Sequence, residues 1–175
     1  MMRKKEDKTI SNLLFEVNSI LKYTYRNNNS ILSIEIGRDI ISIGDEAFMN
    51  CENLKKLKLS NDVKRIGANA FRNCLSLSNV DLGEVYEIGR GAFFNCPGLS
   101  KILIPLSCKV IAEYDCFSKN TEVFYMADKE IYKKVSHLFN DEYKYPNRGY
   151  YYSEIKPDES GKYWHYVDGK ITIWD

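Results

Sequence analysis

A chain of 175 residues, 44% hydrophobic and 28% charged, is long enough to bury a core of its own and too apolar to remain disordered. Its 25 basic and 24 acidic residues leave a net charge of +1, so no global field draws it to nucleic acid, an anionic membrane or another polyanion. No segment approaches the roughly 18 consecutive apolar residues of a membrane span, and MMRKKEDKTISNLLFEV places acidic and polar residues where a signal peptide carries an unbroken apolar run, so neither insertion nor export is expected.

The first patterned stretch reads two ways. Ile10, Leu13, Leu14, Val17 and Leu21 recur at helical spacing over 10–25, while FEVNSILKYTY (15–25) also alternates as a hairpin does. Periodicity alone does not choose between them.

From residue 31 a phrase returns. IGDEAFMNC (43–51), IGANAFRNC (66–74) and IGRGAFFNC (88–96) hold Ile, Gly, Ala, Phe, Asn and Cys constant. Phe48, Phe71, Phe93 and Phe117 form one column with steps of 23, 22 and 24, and Ile43, Ile66, Ile88 and Ile111 form another. Each copy opens on an L-x-x-L-x-L pattern: Ile31, Ile34, Ile36; Leu54, Leu57, Leu59; Leu77, Val80, Leu82; Leu99, Ile102, Ile104. The closing alternation predicts a short strand with one buried face. One such unit cannot hide its apolar face, but coils laid side by side bury a continuous core and join their strands into a long parallel sheet. In that geometry Phe stacks on Phe, and Ala fits where the chain crowds the next coil. Gly is expected to supply a turn, Asn to satisfy turn amides, and Cys to act as a small buried hydrophobe. The fourth copy departs from the pattern, with Ala112 for Gly, Cys116 for Ala and Asn120 in the Cys column, and is expected to be less regular.

The phrase I-G-x-x-A-F-x-x-C followed by L-x-x-I/L-x-L resembles the BspA-type leucine-rich repeats, a bacterial and protist class. FEVNSILKYTYRNNNSILSIEI (15–36) is similar to the non-repetitive opening of such proteins, and YYYSEIKPDESGKYWHYVDGKITIW (150–174) to their closing motif. The resemblance implies a leucine-rich repeat solenoid, a right-handed β-rich superhelix with a parallel sheet on its concave face and about four to five repeats. It also implies the hairpin over 15–25, preceded by a short helix. The expected organisation is one domain: an N-terminal cap over 1–30, repeats over 31–120 and a C-terminal cap over 121–175.

Within that last segment, ADKEIYKKVSHLF (127–139) aligns Ile131, Val135, Leu138 and Phe139 on one face behind Asp128, which predicts a capped helix. KYWHYVDGKITIWD predicts two strands turning at Asp168-Gly169. Ten of the thirteen Tyr and both Trp follow residue 113, either as a binding surface that includes Tyr151 and Trp164 or as the flat core of a cap. The cap core is the preferred reading, because a solenoid end must be covered.

The five cysteines contain no C-x-x-C pair, and His137 and His165 lie at no ligand spacing, so no metal is expected. Adjacent coils place Cβ atoms ~4.8 Å apart where a disulfide needs ~3.8 Å, so Cys51, Cys74 and Cys96 are expected to be reduced, with Cys108 and Cys116 less constrained. An odd total fits a reducing compartment, whereas the resemblance points to the cell surface or secretion. Without a nucleophile elbow or a P-loop, neither catalysis nor a cofactor is expected. Recognition is left to the strand positions that packing does not dictate: Ser33, Glu35, Lys56, Lys58, Asn79, Asp81, Lys101 and Leu103. Glu35 and Asp81 interrupt the lysines, which argues against nucleic acid. The expectation is a non-catalytic module that binds a protein partner, with adhesion or host contact implied by the resemblance. The alternative is a homo-oligomer assembled through the solenoid ends.

Overall fold

The computed structural model describes residues 9–11, 18–112, 116–126, 149–157, 163–168 and 170–174; the helix expected over 127–139 lies outside them. Each apolar phrase becomes one coil with two short strands. The L-x-L stretches form β1 (Thr9–Ser11), β3 (Ser33–Ile36), β5 (Lys56–Leu59), β7 (Asn79–Asp81) and β9 (Lys101–Ile104). The stretches that end in Ile form β2 (Ser19–Ile20), β4 (Ser42–Ile43), β6 (Arg65–Ile66), β8 (Glu87–Ile88) and β10 (Val110–Ile111). The closing segment adds β11 (Glu122–Tyr125), β12 (Gly149–Tyr152), β13 (Tyr163–Val167) and β14 (Lys170–Ile173). Three sheets result, in the orders β1-β3-β5-β7, β2-β4-β6-β8-β10 and β9-β11-β12-β13-β14. All pairings are parallel except β13 with β14. Successive strands can be parallel only if the chain returns to the same side before each one, and that return is what makes a solenoid.

The stack begins earlier than expected. Ile10 registers with Ile34 and Ile20 with Ile43, and the Tyr25 ring stacks on Phe48 at 5.1 Å. Residues 9–11 and 18–30 therefore belong to a coil, in place of the hairpin or helix expected there. Both strands in this segment pair with the next coil, because Ile20 and Tyr25 fill the Ile and Phe columns and bury against it.

The Phe column is a spine of nearly coplanar rings. Centroids are 5.3 Å apart for Phe48–Phe71 and 5.3 Å for Phe71–Phe93, with interplanar angles of 2° and 7°. Phe48, Phe71 and Phe93 are fully buried, together with Ile43, Ile66, Ile88, Ala47, Ala70 and Ala92. Around this core the remaining constant residues have roles that only the coil-to-coil geometry reveals. Asn27, Asn50, Asn73 and Asn95 adopt left-handed φ of 62°, 62°, 60° and 54°, which Asn tolerates better than other side chains. Their amides form a ladder across the coils: Asn50 Nδ2 donates to Asn27 Oδ1 at 2.7 Å, Asn73 to Asn50 at 2.7 Å and Asn95 to Asn73 at 2.9 Å. The Asn column thus ties coil to coil, in place of the expected bonds to turn amides.

Gly44, Gly67 and Gly89 are required by close approach and not, as expected, by a turn. A Cβ on Gly44 would lie 2.5 Å from the Lys22 backbone nitrogen, and one on Gly89 would lie 2.7 Å from the Ala68 nitrogen. In the fourth copy Ala112 occupies this column, and the Phe93–Phe117 ring spacing widens to 6.0 Å. The expected irregularity is present there. The closing hairpin also forms as expected: Val167 registers with Lys170, and Asp168 at φ 49° turns the chain.

Candidate functional site

Alternation decides which side chains leave the core. In β3, β5 and β9 the residues at the second and fourth positions are buried, and those at the first and third face outward. Glu35, Lys56, Lys58, Asn79, Asp81 and Lys101 are exposed, while Ser33 and Leu103 are half-buried. Parallel register aligns them in two rows, Ser33-Lys56-Asn79 and Glu35-Lys58-Asp81. The sequence-derived residues of the second, third and fourth coils therefore share one surface.

That surface is largely self-compensated. Lys58 Nζ donates to Glu35 Oε1 at 2.8 Å, and this hydrogen bond and charge, with Asp81 on the other side, raise the Lys58 ammonium above its ordinary value. Asp81 Oδ1 accepts the Gly83 amide at 3.1 Å. The row is an alternating ladder of −, + and −, with Lys58 bonded to Glu35 and Asp81 adding charge from the other side.

At β7 the first sheet ends, and β9 starts another. Near this boundary lies a recess of about 230 Å³ lined by Val80, Leu82, Leu103, Pro105 and Met126, with Asp81 at its rim. Register then carries the outward row from Leu103 to Phe124 in β11 and on to Tyr150 in β12, while Lys101 lies beside Glu122. Tyr152, two residues after Tyr150, faces the same way and registers with Trp164. The polar face gives way to an aromatic layer in which Phe124 and Trp164 are buried and Tyr150 and Tyr152 half-buried. Phe124 and Tyr150 stack at 4.8 Å, and Trp164 packs edge-on against Tyr152 and Tyr166, each at 5.1 Å.

The two aromatic positions named from the sequence serve structure. Trp164 is fully buried, with its indole Nε1 donating to the Tyr125 carbonyl at 3.0 Å, and Tyr151 packs against the core beside Tyr125. Sequence reasoning missed Glu122, Tyr150 and Tyr152 on the outward side of these strands, together with Phe124, which lies on that side but is buried there. The alternation in TEVFY and YYY carried the signal, once β11 and β12 were known to follow β9 in parallel register.

The thiols offer little chemistry. All five cysteines are free, and Cys51, Cys74 and Cys96 are fully buried. Each of these three donates to a carbonyl of the preceding coil: Cys51 to Tyr25 at 3.2 Å, Cys74 to Phe48 at 3.4 Å and Cys96 to Phe71 at 3.1 Å. Burial pushes Cys51 up from its ordinary 9.0 to about 11, raises Cys74 further, and takes Cys96 and Cys108 to about 12. A thiol held neutral in the fold but ionised in the unfolded chain stabilises the fold only below the unfolded value. That contribution is therefore lost as pH rises from 9.0 through the folded values of about 11 to 12. The denaturation midpoint should hold with respect to the thiols below about pH 8.5 and fall above pH 9, and Cys74→Ala should flatten the fall. A thiol reagent that labelled these three cysteines in the native protein at neutral pH would refute this account.

His165 stacks on Trp174 at 3.7 Å; among the described residues its Nδ1 has no hydrogen-bond partner and no three His, Cys, Asp or Glu side chains gather as metal ligands. No helix among the described residues is long and apolar enough to cross a membrane.

Comparison with known proteins agrees with this geometry. The profile of the BspA type leucine-rich repeat region matches residues 6–140 in six copies, reaching back into the first coil. No curated protein sequence matches the chain significantly. Among solved structures, a leucine-rich repeat protein of T. pallidum superposes with a TM-score of 0.56 at 23% identity, over 61% of this chain and 51% of that one. A leucine-rich repeat protein from Bacteroides ovatus does so with a TM-score of 0.55 at 28% identity, over 62% of this chain and 31% of that one. A leucine rich cell surface protein from Faecalibacterium prausnitzii gives 0.50 at 24% identity, again over 62% and 31%. The chain thus spans about half the length of the first and under a third of the other two. With more than half its residues matched by the family profile and its coils stacked as that repeat requires, the chain belongs to the BspA-type leucine-rich repeat family.

Proposed function

We propose that the chain is a non-catalytic protein-binding module that uses the outward face of its L-x-L strands. One observation carries this: the inward columns are occupied by residues that packing dictates, while the outward rows are exposed, varied and held on a rigid sheet. Side chains fixed by parallel register lose little freedom on binding, which favours recognition of a folded or extended partner. A partner captured on the immobilised chain and then purified tests the reading by direct titration. Lys56→Glu with Lys58→Glu should leave a cooperative melt with only a small shift, because both side chains are exposed. The same variant should weaken the partner at least tenfold. An unchanged affinity would remove the polar rows from the binding face.

A structurally similar protein is named a cell surface protein, which supports a surface role in adhesion or host contact, while five free thiols fit a reducing compartment. Labelling intact cells with an impermeant reagent, then fractionating, would separate the two. Self-assembly is a second reading, favoured by the solenoid's first coil. Among the described strands β1 and β2 lie at the edges of their sheets, and Leu21 and Tyr23 are 55% and 49% exposed. A constant monomer mass by light scattering across a concentration series would end it.

A further inference from the structure

We infer that the recess where the outward sheet breaks, between β7 and β9, seats one large apolar side chain of the partner, and that a carboxylate two residues away on the same extended segment is held by Lys56, Asn79 and Lys101. This rests on the reading that the outward sheet face binds protein, and it specifies the anchor and the chemistry beside it.

The break has a cause in the sequence. The residue that follows β5 ties it to β3, and the residue that follows β11 ties it to β9: Ser60 N donates to the Ile36 carbonyl at 3.0 Å and Met126 N to the Ile104 carbonyl at 3.0 Å. After β9 that residue is Pro105, which has no N–H, and after β7 it is Gly83, whose amide donates to Asp81 Oδ1 at 3.1 Å. The described ladders join β7 to β5 and β9 to β11 but not β7 to β9, while β8 and β10 of the same two coils stay paired. The fourth and fifth coils are thus held on one side and parted on the other. Val80 shows the consequence, because it is half-buried where Ile34, Leu57 and Ile102, at the same position of β3, β5 and β9, are buried. With Leu103 half-buried and Met126 38% exposed, the recess of about 230 Å³ sets apolar walls into a polar face. A side chain seated there is enclosed on several sides, the setting in which interface anchors contribute most.

Charge selects what lies next to the anchor. Of the two outward rows, Glu35-Lys58-Asp81 is compensated from within. Two residues earlier in the strands, Lys56, Asn79 and Lys101 open β5, β7 and β9 and are exposed. Among the described residues these three side chains are in no ion pair and no hydrogen bond. Glu122 lies beside Lys101 in register, but its Oε1 accepts from the Tyr150 phenol at 3.5 Å. Two cations and an amide donor therefore stand together without an acid bound to them, and a carboxylate placed over Asn79 is within reach of both lysines. Spacing links this group to the recess. Alternate positions of a strand are about 7 Å apart, and an extended peptide has the same period, so an apolar side chain at i in the recess sets position i+2 or i−2 over Asn79.

Fluorescence anisotropy of the labelled peptide Ser-Thr-Glu-Thr-Leu-Thr-Glu-Thr-Ser, titrated with the whole chain, tests the inference. The wild type should bind, more weakly as salt rises. Replacing the peptide's Leu by Asn should weaken binding at least tenfold, and replacing both Glu by Gln at least fivefold. On the protein, Lys56→Gln with Lys101→Gln should weaken binding at least fivefold with an unchanged melt and should no longer distinguish the Glu peptide from the Gln peptide. Lys170→Gln, at the far hairpin, should stay within twofold. The inference is overturned if either peptide replacement leaves the affinity unchanged, if the double lysine variant binds as the wild type does, or if Lys170→Gln matches its loss. Equal binding of a peptide with Arg in place of Glu would also overturn it, as would displacement by a single-stranded oligonucleotide at equal concentration, because the donors then serve phosphates. A captured partner that binds while the peptide does not would sink only this inference, whereas absence of any partner would sink the broader reading.

Discussion

Phe71→Ala is expected to lower the unfolding free energy by about 3–5 kcal/mol, the range for large aromatic truncations in a core. Phe71 is fully buried between Phe48 and Phe93, each 5.3 Å from its ring centre, so the deletion leaves a void walled on two sides by rings. Those rings cannot collapse into it without tilting away from their own neighbours, Tyr25 on one side and Phe117 on the other. In a solenoid each coil is stabilised by its contacts with the coils before and after it, so a central loss weakens two interfaces. Phe117 marks the contrast, since its spacing from Phe93 is 6.0 Å and its packing is looser. Phe117→Ala should therefore cost less than Phe71→Ala. Chemical denaturation of both variants checks the order, and equal losses would show that the column does not act as a stacked series.

What could be read from the residues divides along a physical line. The Phe, Ile and Ala columns were legible because burial follows from residue type and period, and the outward positions of the second to fourth coils followed from alternation. Roles set by the distance between backbones were not. Asn looked like a turn residue, since the left-handed φ that Asn tolerates and the ladder from Asn27 to Asn95 exist only once coils are stacked. The first coil was hidden because Leu21, Thr24 and Asn28 stand where later coils have Gly, Ala and Cys. Within 18–30, Ile20, Tyr25 and Asn27 are the residues that keep the repeated columns in register with the next coil. The aromatic end of the face was missed for a related reason. Thr121–Tyr125 and Tyr150–Tyr152 carry no trace of the repeated phrase, yet β11 pairs in parallel with β9 and β12 with β11, so they inherit the outward side of β9.

Gly67→Ala is the most economical test of that backbone distance, and it should cost about 3 kcal/mol, at the upper end of the usual penalty for inserting one carbon into a packed site. The added Cβ would lie 2.6 Å from the Asp45 nitrogen and 2.7 Å from the Gly44 carbonyl carbon, both main-chain atoms that cannot rotate away. It would also lie 2.5 Å from Asp45 Oδ1, the acceptor of the Ala68 amide at 2.8 Å, so swinging that carboxylate aside breaks a bond between coils. Relief requires the second and third coils to separate, and separation stretches the Gly67 to Ile43 hydrogen bond of 2.8 Å and the Asn73 to Asn50 rung of 2.7 Å together. The chain holds its own control in Ala112, which occupies the glycine column where the rings have already moved to 6.0 Å. Ala112→Gly should change stability by no more than about 1 kcal/mol, the backbone entropy of glycine, because no clash is being relieved. A neutral Gly67→Ala would mean that adjacent coils slide apart freely. The constant glycine would then need a reason other than contact, and the rigidity on which the outward face depends would be lost with it.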